Sequence, residues 1–157
     1  MYRKKRVIKK SQFDVLANVE LLVYDVTKNN KLIDVIDDCN LFVTDGRNQV
    51  RDFLNNLSPT GITHLAVGTD ATGAVLSDSA LGTEVYRNAL TKRTPSDASV
   101  MLSYYLASTQ ANGNTLAETG LFNDPTAGAM FARATYTPII KTSSIAVMYN
   151  WTLNIGG

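Results

Sequence analysis

The sequence predicts a mainly β protein: an antiparallel β-sandwich, jelly-roll-like or a flattened barrel, with one α-helix at 45–57 and an extended basic N-terminal arm. Apolar and polar residues alternate over 145–155, the pattern of a strand buried on one face. Further short β-rich segments follow one another at the spacing of an all-β domain. A single window, around 50–57, has the period of an amphipathic helix.

The length of 157 residues predicts one domain, large enough to fold without a metal or a disulfide. We divide the chain into an arm at 1–19 and a sandwich domain at 20–157. Cys39 is the only cysteine and His64 the only histidine, so the sequence has too few ligands for a Cys/His zinc site. We expect no cofactor. No apolar run approaches the ~20 residues that cross a bilayer, so no membrane partner is expected.

The N-terminal arm carries the main charge asymmetry of the chain. Six of its first ten residues are basic: Arg3, Lys4, Lys5, Arg6, Lys9 and Lys10. Without these six of the fifteen basic residues, nine remain against fourteen acidic ones, so the body is mildly acidic. The arm is either a solvated terminus or a segment that docks on a partner. Nucleic acid is a poor candidate for that partner, because Tyr2 is the only aromatic residue among the first ten.

The first elements are a hairpin and the helix. The hairpin spans 20–37, and Lys28-Asn29-Asn30-Lys31 forms its turn, because asparagine tolerates a positive φ. Thr44 or Asp45 can cap the helix, and Ser58-Pro59-Thr60-Gly61 stops it. The apolar stripe of the helix consists of Val50, Phe53, Leu54 and Leu57.

The strands of the sandwich follow the helix. They are expected at 62–67, 83–91, 98–107, 115–122, 129–136 and 144–155. In the last of them Val147, Tyr149 and Trp151 fall on one side, which predicts that they belong to the core.

The stretch most like catalytic machinery is HLAVGTDATG, at 64–73. Gly68 and Gly73 have the spacing of a phosphate-binding loop, but Ala74 and Val75 stand where that loop needs a lysine and a hydroxyl residue. We therefore interpret 68–73 as a connection between strands.

Three other candidate sites are weak. His64 could act in a hydrolase with Ser77 or Ser79, but the sequence has no G-x-S-x-G turn to present a nucleophilic serine. We therefore interpret His64 as a strand residue at an edge or interface. Glu118 is a possible general acid, but pairing with Arg133 across strands or capping the turn at Gly120 is favoured. The remaining candidates, Asp34, Asp37 and Asp38, lack the spacing of a calcium loop and read as a solvated strand end. We therefore expect that the protein is not an enzyme.

Several ordered motifs resemble a family of small structural proteins of tailed bacteriophages. The motifs are ITHLAVGTDATGAVLSDSALGTEVYR, ANGNTLAETGLFN and MFARATYTPIIKTSSIAVMYNWTLNI, preceded by CNLFVTDGRNQVRDFL. The family pattern has LAVGTG, ALGTE, ANGTIxEAGLFN and a final WTI at the corresponding places. The resemblance covers 39–155, and the chain departs from the pattern at Asp70, where the family has glycine.

The resemblance implies structural roles and no catalytic residue. The matching positions are Gly68, Gly82, Glu84, Glu118, Gly120, Phe122, Arg133 and Trp151. It implies a virion component, assembled in the host cytoplasm, that contacts other copies of itself and neighbouring virion proteins. A tail-associated protein of the baseplate, collar or fibre attachment is favoured.

Two alternatives remain open. One is a capsid decoration or cement protein. The other is a receptor- or carbohydrate-binding module, which an exposed aromatic platform of Tyr104, Tyr105 and Tyr136 would favour.

Overall fold

A computed structural model describes residues 15–57 and 59–155. In chain order the strands and the α-helix of this part are β1 (Val15–Asp25), β2 (Lys31–Cys39), β3 (Leu41–Phe42), α1 (Thr44–Leu54), β4 (His64–Gly68), β5 (Glu84–Ala89), β6 (Lys92–Ser96), β7 (Ser99–Leu106), β8 (Thr115–Phe122), β9 (Met130–Ile140) and β10 (Ile145–Ile155), and a 3-10 helix at Val26–Lys28 joins β1 to β2. Sheet A has the strand order β2-β1-β10-β7-β6, and sheet B the order β3-β9-β8-β4-β5. Every paired strand is antiparallel. The predicted mainly β, sandwich-like class is confirmed.

The core lies between the two sheets and consists of residues that recur at every second position. In β10, Val147, Tyr149 and Trp151 are fully buried, as the alternation at 145–155 predicts. They pack in one cluster with inward residues of sheet B such as Leu65 and Leu121. Burial of this apolar surface is the main stabilising contribution to such a fold.

Two strands were not predicted, and one is longer than predicted. β6 has the sequence KRTPS and pairs only with β7, an edge position where both its charges and Pro95 are tolerated. β3 has only two residues, too few for a periodic signal. β9 continues past Pro138 to Ile140, because β3 pairs only with Ala132 and Arg133 and leaves that side of β9 unpaired at the proline.

The hairpin begins earlier than its predicted start at residue 20. β1 pairs with β10 from Val15↔Ile155 onward, and Ala17 and Val19 are buried. The predicted boundary at 19/20 is therefore wrong, since 15–19 belongs to the sandwich. The six basic residues of the arm lie outside the described residues. The turn prediction is confirmed, because Asn29 and Asn30 both have a positive φ.

The helix is shorter than the predicted 45–57 and ends at Leu54. Neither Thr44 nor Asp45 caps it: the N-cap is Val43, without a side-chain hydrogen bond, while the Thr44 amide donates to the Leu76 carbonyl. Gly46 is the buried residue of α1, and a Cβ there would collide with the backbone of Phe131 in β9. The helix therefore meets sheet B at its N-terminal end.

Most of the predicted apolar stripe of α1 is not covered. The exposed fractions are 71% for Phe53, 75% for Leu54 and 62% for Leu57, whereas Val50 is partly buried. Because the contact with β9 is made near Gly46, the C-terminal half of the stripe extends beyond the covered region. Of the four residues in the predicted stripe, only Val50 therefore packs against the core.

Candidate functional site

A buried ion pair lies on the outer face of sheet B. Gly120 of β8 pairs with Arg133 of β9, so Glu118, two residues away, is a diagonal neighbour of Arg133 on the same face. Glu118 is fully buried and Arg133 nearly so. Arg133 Nε and Nη2 each lie 2.9 Å from Glu118 Oε2. The cross-strand pairing proposed from the sequence is present.

The Glu118 carboxylate also binds the segment 69–83, called here the 69–83 loop. Its Oε1 accepts hydrogen bonds from the backbone N–H of Thr83 at 2.8 Å and of Asp70 at 3.3 Å. Its Oε2 accepts from the Gly82 N–H at 3.0 Å. One carboxylate thus joins both ends of the loop to β8.

Arg133 holds the loop from the other side through two loop carboxylates. Its Nη1 donates to Asp78 Oδ2 at 2.9 Å, and its Nη2 to Asp70 Oδ2 at 3.3 Å. Burial alone would lower the pKa of Arg133, but the hydrogen bonds with Asp78 and Glu118 raise it above its ordinary value. The guanidinium is therefore a permanent cation among three carboxylates.

Asp70 is the position that departs from the family pattern, and it takes part in this network. Its Oδ1 accepts from the Thr72 N–H at 2.8 Å, closing a turn inside the loop. This backbone hydrogen bond, with a smaller contribution from Arg133, lowers the pKa of Asp70. The network keeps charged groups fixed in place and joins the 69–83 loop to the sheet.

The glycines of the motifs lie where the loop contacts the sheet. A Cβ on Gly68 would collide with the Glu118 carboxylate and the Thr83 carbonyl, and one on Gly82 with the Asp70 carboxylate. Gly120 lies beneath Leu81. Beneath the loop is a small apolar cluster separate from the main core, formed by Val43, Ala66, Leu81, Phe122 and Met130.

A second ion pair extends the network to the loop before β9. Arg87 of β5 binds Glu84 through two hydrogen bonds of 2.9 and 2.6 Å, and its guanidinium lies 3.6 Å from the Phe122 ring centroid. Its Nη1 donates to the carbonyls of Asp124 and Ala127. Sequence reasoning named Glu84 and Phe122 but missed Arg87. In a regular strand residues i and i+3 lie on opposite faces, so this pair depends on the register shift that follows Glu84 in β5, which the sequence does not show.

The remaining candidate residues lie elsewhere. Trp151 belongs to the main core between the sheets. His64 begins β4, so its prediction as a strand residue is confirmed. β4 pairs with both β5 and β8, so the edge position is wrong, and the interface alternative stays a prediction. The Nδ1 of His64 lies 2.7 Å from Thr63 Oγ1. In the described part of the chain no hydrogen bond joins it to Ser77 or Ser79.

The acidic residues of β2 do not assemble a metal site. Asp34 and Asp38 each accept a hydrogen bond from the amide of the following residue, at 2.9 and 2.8 Å. Asp37 and Asp38 line an open groove of about 460 Å³ with Glu20. Among residues 15–57 and 59–155, no three His, Cys, Asp or Glu side chains are grouped to hold a metal ion.

The aromatic platform expected of a carbohydrate-binding module is not formed by the three candidate tyrosines. Tyr104 and Tyr136 are buried, and only Tyr105 is exposed. The Tyr136 and Tyr149 hydroxyls lie 3.0 Å apart inside the core, where burial raises the pKa of both. These tyrosines contribute to packing.

An uncharged cleft lies between the C-terminal half of α1 and the ends of both sheets. This apolar end cleft has a volume of about 420 Å³. Its walls include Val15, Phe42, Val50, Ile62, Val100 and Phe131. The exposed Phe53 and Leu54 stand at its rim. Its apolar lining makes it chemically suited to bind another apolar group.

Comparison of the chain with protein-family models, curated proteins and solved structures returns no match. The likeness to phage structural proteins therefore depends on the quoted motifs alone. Among residues 15–57 and 59–155, the structure contains no helix with the length and hydropathy of a bilayer-spanning segment.

Proposed function

We propose that the protein is a structural component of a tailed-phage virion. The favoured place is the tail, in the baseplate, collar or fibre attachment, where the protein acts by self-assembly and by docking to neighbouring virion proteins. Its action includes no catalytic step and no cofactor.

One observation carries this proposal. Six residues that the motifs single out, although distant in sequence, lie together around the 69–83 loop: Gly68, Gly82, Glu118, Gly120, Phe122 and Arg133. Their common effect is to hold a fifteen-residue connection against a sheet. This gives the motifs a role in surface shape, which is what repeated contacts between virion proteins require.

Two further features support an assembly role. The apolar end cleft and the uncovered stripe of α1 offer a contact surface larger than isolated exposed residues do. The sandwich body is mildly acidic, while the arm, outside the described residues, has six basic side chains. We propose that the arm docks on a neighbouring virion protein, and weak contacts of this kind add up in a symmetric array.

The test is the location of the chain in intact particles. Particles purified from the phage that encodes it should contain the chain in stoichiometric amounts by mass spectrometry, and antibody labelling should place it on the tail. A non-structural phage protein of similar abundance in the lysate is the control for contamination. Absence from purified particles would contradict the proposal, and labelling of the head would favour the capsid decoration alternative.

A further inference from the structure

The surface around α1 combines exposed apolar side chains with an adjacent apolar depression. Phe53 and Leu54 of the helix and Leu57 of the turn after it are exposed, and Ile155 at the end of β10 is half exposed. Phe53, Leu54 and Ile155 line the apolar end cleft, and Leu57 follows them on the helix side, three residues after Leu54 in the chain. A surface with both projections and a matching depression can bind a copy of itself, which is the requirement of an isologous two-fold interface.

The size of this surface fits the centre of a dimer interface. The four exposed side chains present on the order of 400 Å² of apolar area, a size typical of functional patches on soluble proteins. A standard interface covers roughly 800 Å² on each partner, with a polar rim around an apolar centre. The four exposed apolar side chains supply the apolar centre, and the polar residues of α1 around them supply the rim.

The charges near the patch also permit contact between identical surfaces. The cleft walls contain no charged residue. The charges of α1 are Asp45, Arg47, Arg51 and Asp52, two of each sign, and Arg51 is already paired with Asp52 at 2.6 Å. Two copies can therefore approach through α1 without net repulsion. The acidic outer edge at β2 lacks this property, because Asp34, Asp37 and Asp38 would face the same charges on a second copy.

We propose that two copies of the chain form an isologous dimer through α1, with Phe53 and Leu57 of each copy entering the apolar end cleft of the other. This dimer would be the first step of the self-assembly in the proposed function. The inference rests on the self-assembly part of that function and not on the location in the virion.

The test is the mass of the full chain in solution, measured by sedimentation and light scattering over a wide concentration range. The wild-type chain should have twice its 17.1 kDa mass at the higher concentrations. Phe53→Glu and Leu57→Glu should each weaken dimerisation by about thirtyfold or more, because central apolar residues dominate interface affinity. Ile140→Glu is the matched control, since Ile140 is 72% exposed but lies at the far end of β9 from Phe131. It should leave the dimer unchanged.

At concentrations where the wild-type chain is monomeric, all variants should keep its thermal midpoint, because the substituted side chains are exposed in the monomer. A wild-type chain that is monomeric at every concentration would overturn the dimer, and so would a Phe53→Glu variant with undiminished dimer affinity. Equal losses in Phe53→Glu and Ile140→Glu would overturn it as well. Because these measurements use purified protein, rejection of the dimer leaves the virion proposal to be decided separately by the presence of the chain in particles.

Discussion

At the scale of single residues, the chain fixes its 69–83 loop with one buried cation and three carboxylates. Burying Glu118 and Arg133 removes both from water, and the short ion pair and backbone hydrogen bonds offset that loss. The loop carboxylates Asp70 and Asp78 bind the same guanidinium, which specifies one loop position. Removing one member leaves charged and polar groups buried without partners, so damage to the network should be large.

The first prediction concerns Glu118. Glu118→Ala should lower the free energy of unfolding by about 3–5 kcal/mol, because Arg133 loses its buried partner and the Gly82 and Thr83 amides lose their acceptor. Urea titration followed by circular dichroism measures the change. Asp52→Asn, in the exposed pair with Arg51, is the control and should change it by about 0–1 kcal/mol. Equal effects of both substitutions would show that the buried network contributes nothing specific.

The second prediction compares two glycines of the former phosphate-loop candidate. Gly68→Ala should destabilise the fold by roughly 1–3 kcal/mol, because the added methyl group meets the Glu118 carboxylate and the Thr83 carbonyl. Gly73→Ala should change stability by about 0.5 kcal/mol or less, since its Cβ would meet open space. Thermal unfolding of both variants gives the comparison. Full tolerance of alanine at position 68 would contradict the close approach of loop and sheet.

At the scale of elements, predictability follows the strength of the local pattern. β10 was predicted because every second residue faces the core, and the hairpin turn because two asparagines adopt a positive φ. β6 was missed because an edge strand can be charged and contain Pro95 without an apolar pattern. The exposure of Phe53, Leu54 and Leu57 on the helical stripe could not be predicted either. The periodicity of the stripe shows which side of α1 is apolar, but not how far the sheet beneath it extends.

The candidate site was only partly predictable for the same reason. Glu118 and Arg133 lie on periodic strands, so their pairing could be proposed from the sequence. Asp70 and Asp78 lie in a loop without periodicity, and they reach Arg133 across 63 and 55 residues of chain. Nothing local indicates which carboxylate of a loop will meet a distant cation, so these two partners emerge only from the fold.

The third prediction concerns the hairpin turn and acid. Asp25 accepts hydrogen bonds from the Thr27 side chain at 2.6 Å and its amide at 3.0 Å, and pairs with Lys28 at 2.9 Å. The Thr27 hydroxyl, followed by Lys28, lowers the pKa of Asp25 from 3.8 to about 2. Between these two values the unfolded chain binds more protons, so the stabilisation is complete above about pH 4 and is lost as the pH falls toward 2.

Asp25→Asn should therefore lower the thermal midpoint at pH 7 and make the difference from wild type shrink as the pH approaches 2. Asp37→Asn serves as the control, because Asp37 is an exposed residue of the same hairpin. Thermal melts at a series of pH values measure both variants. A difference between Asp25→Asn and wild type that stays constant down to pH 2 would reject this role of the carboxylate.

At the scale of the whole molecule, the described surface has one region covered by the chain's own 69–83 loop and another where apolar residues are left exposed. On the outer face of sheet B, the 69–83 loop covers Glu118 and Arg133 and is bound to them by hydrogen bonds and ion pairs. The end of the sandwich near α1 remains open and apolar. β1 begins at that same end, since Val15 lines the cleft, so the N-terminal arm is attached beside the proposed dimer surface.

The last prediction follows from this arrangement and concerns the arm. Every described strand and the helix begin at Val15 or later, so deletion of residues 1–10 should leave the thermal midpoint of the sandwich nearly unchanged. The truncated chain should nevertheless fail to enter particles, because it lacks the six basic side chains proposed to dock on a neighbouring virion protein. Complementation of a phage lacking the gene, with mass spectrometry of the purified particles, measures incorporation.

A full-length chain with the six basic residues replaced by glutamine separates charge from length. If docking is electrostatic, this variant should be excluded from particles as the truncated chain is, and incorporation of the wild type should weaken at high salt. Normal incorporation of the truncated chain would refute a docking role for the arm. If only the glutamine variant is incorporated normally, the arm still docks but not through its charges. The docking contact would then be assigned to Val7 and Ile8, the apolar residues between the basic ones.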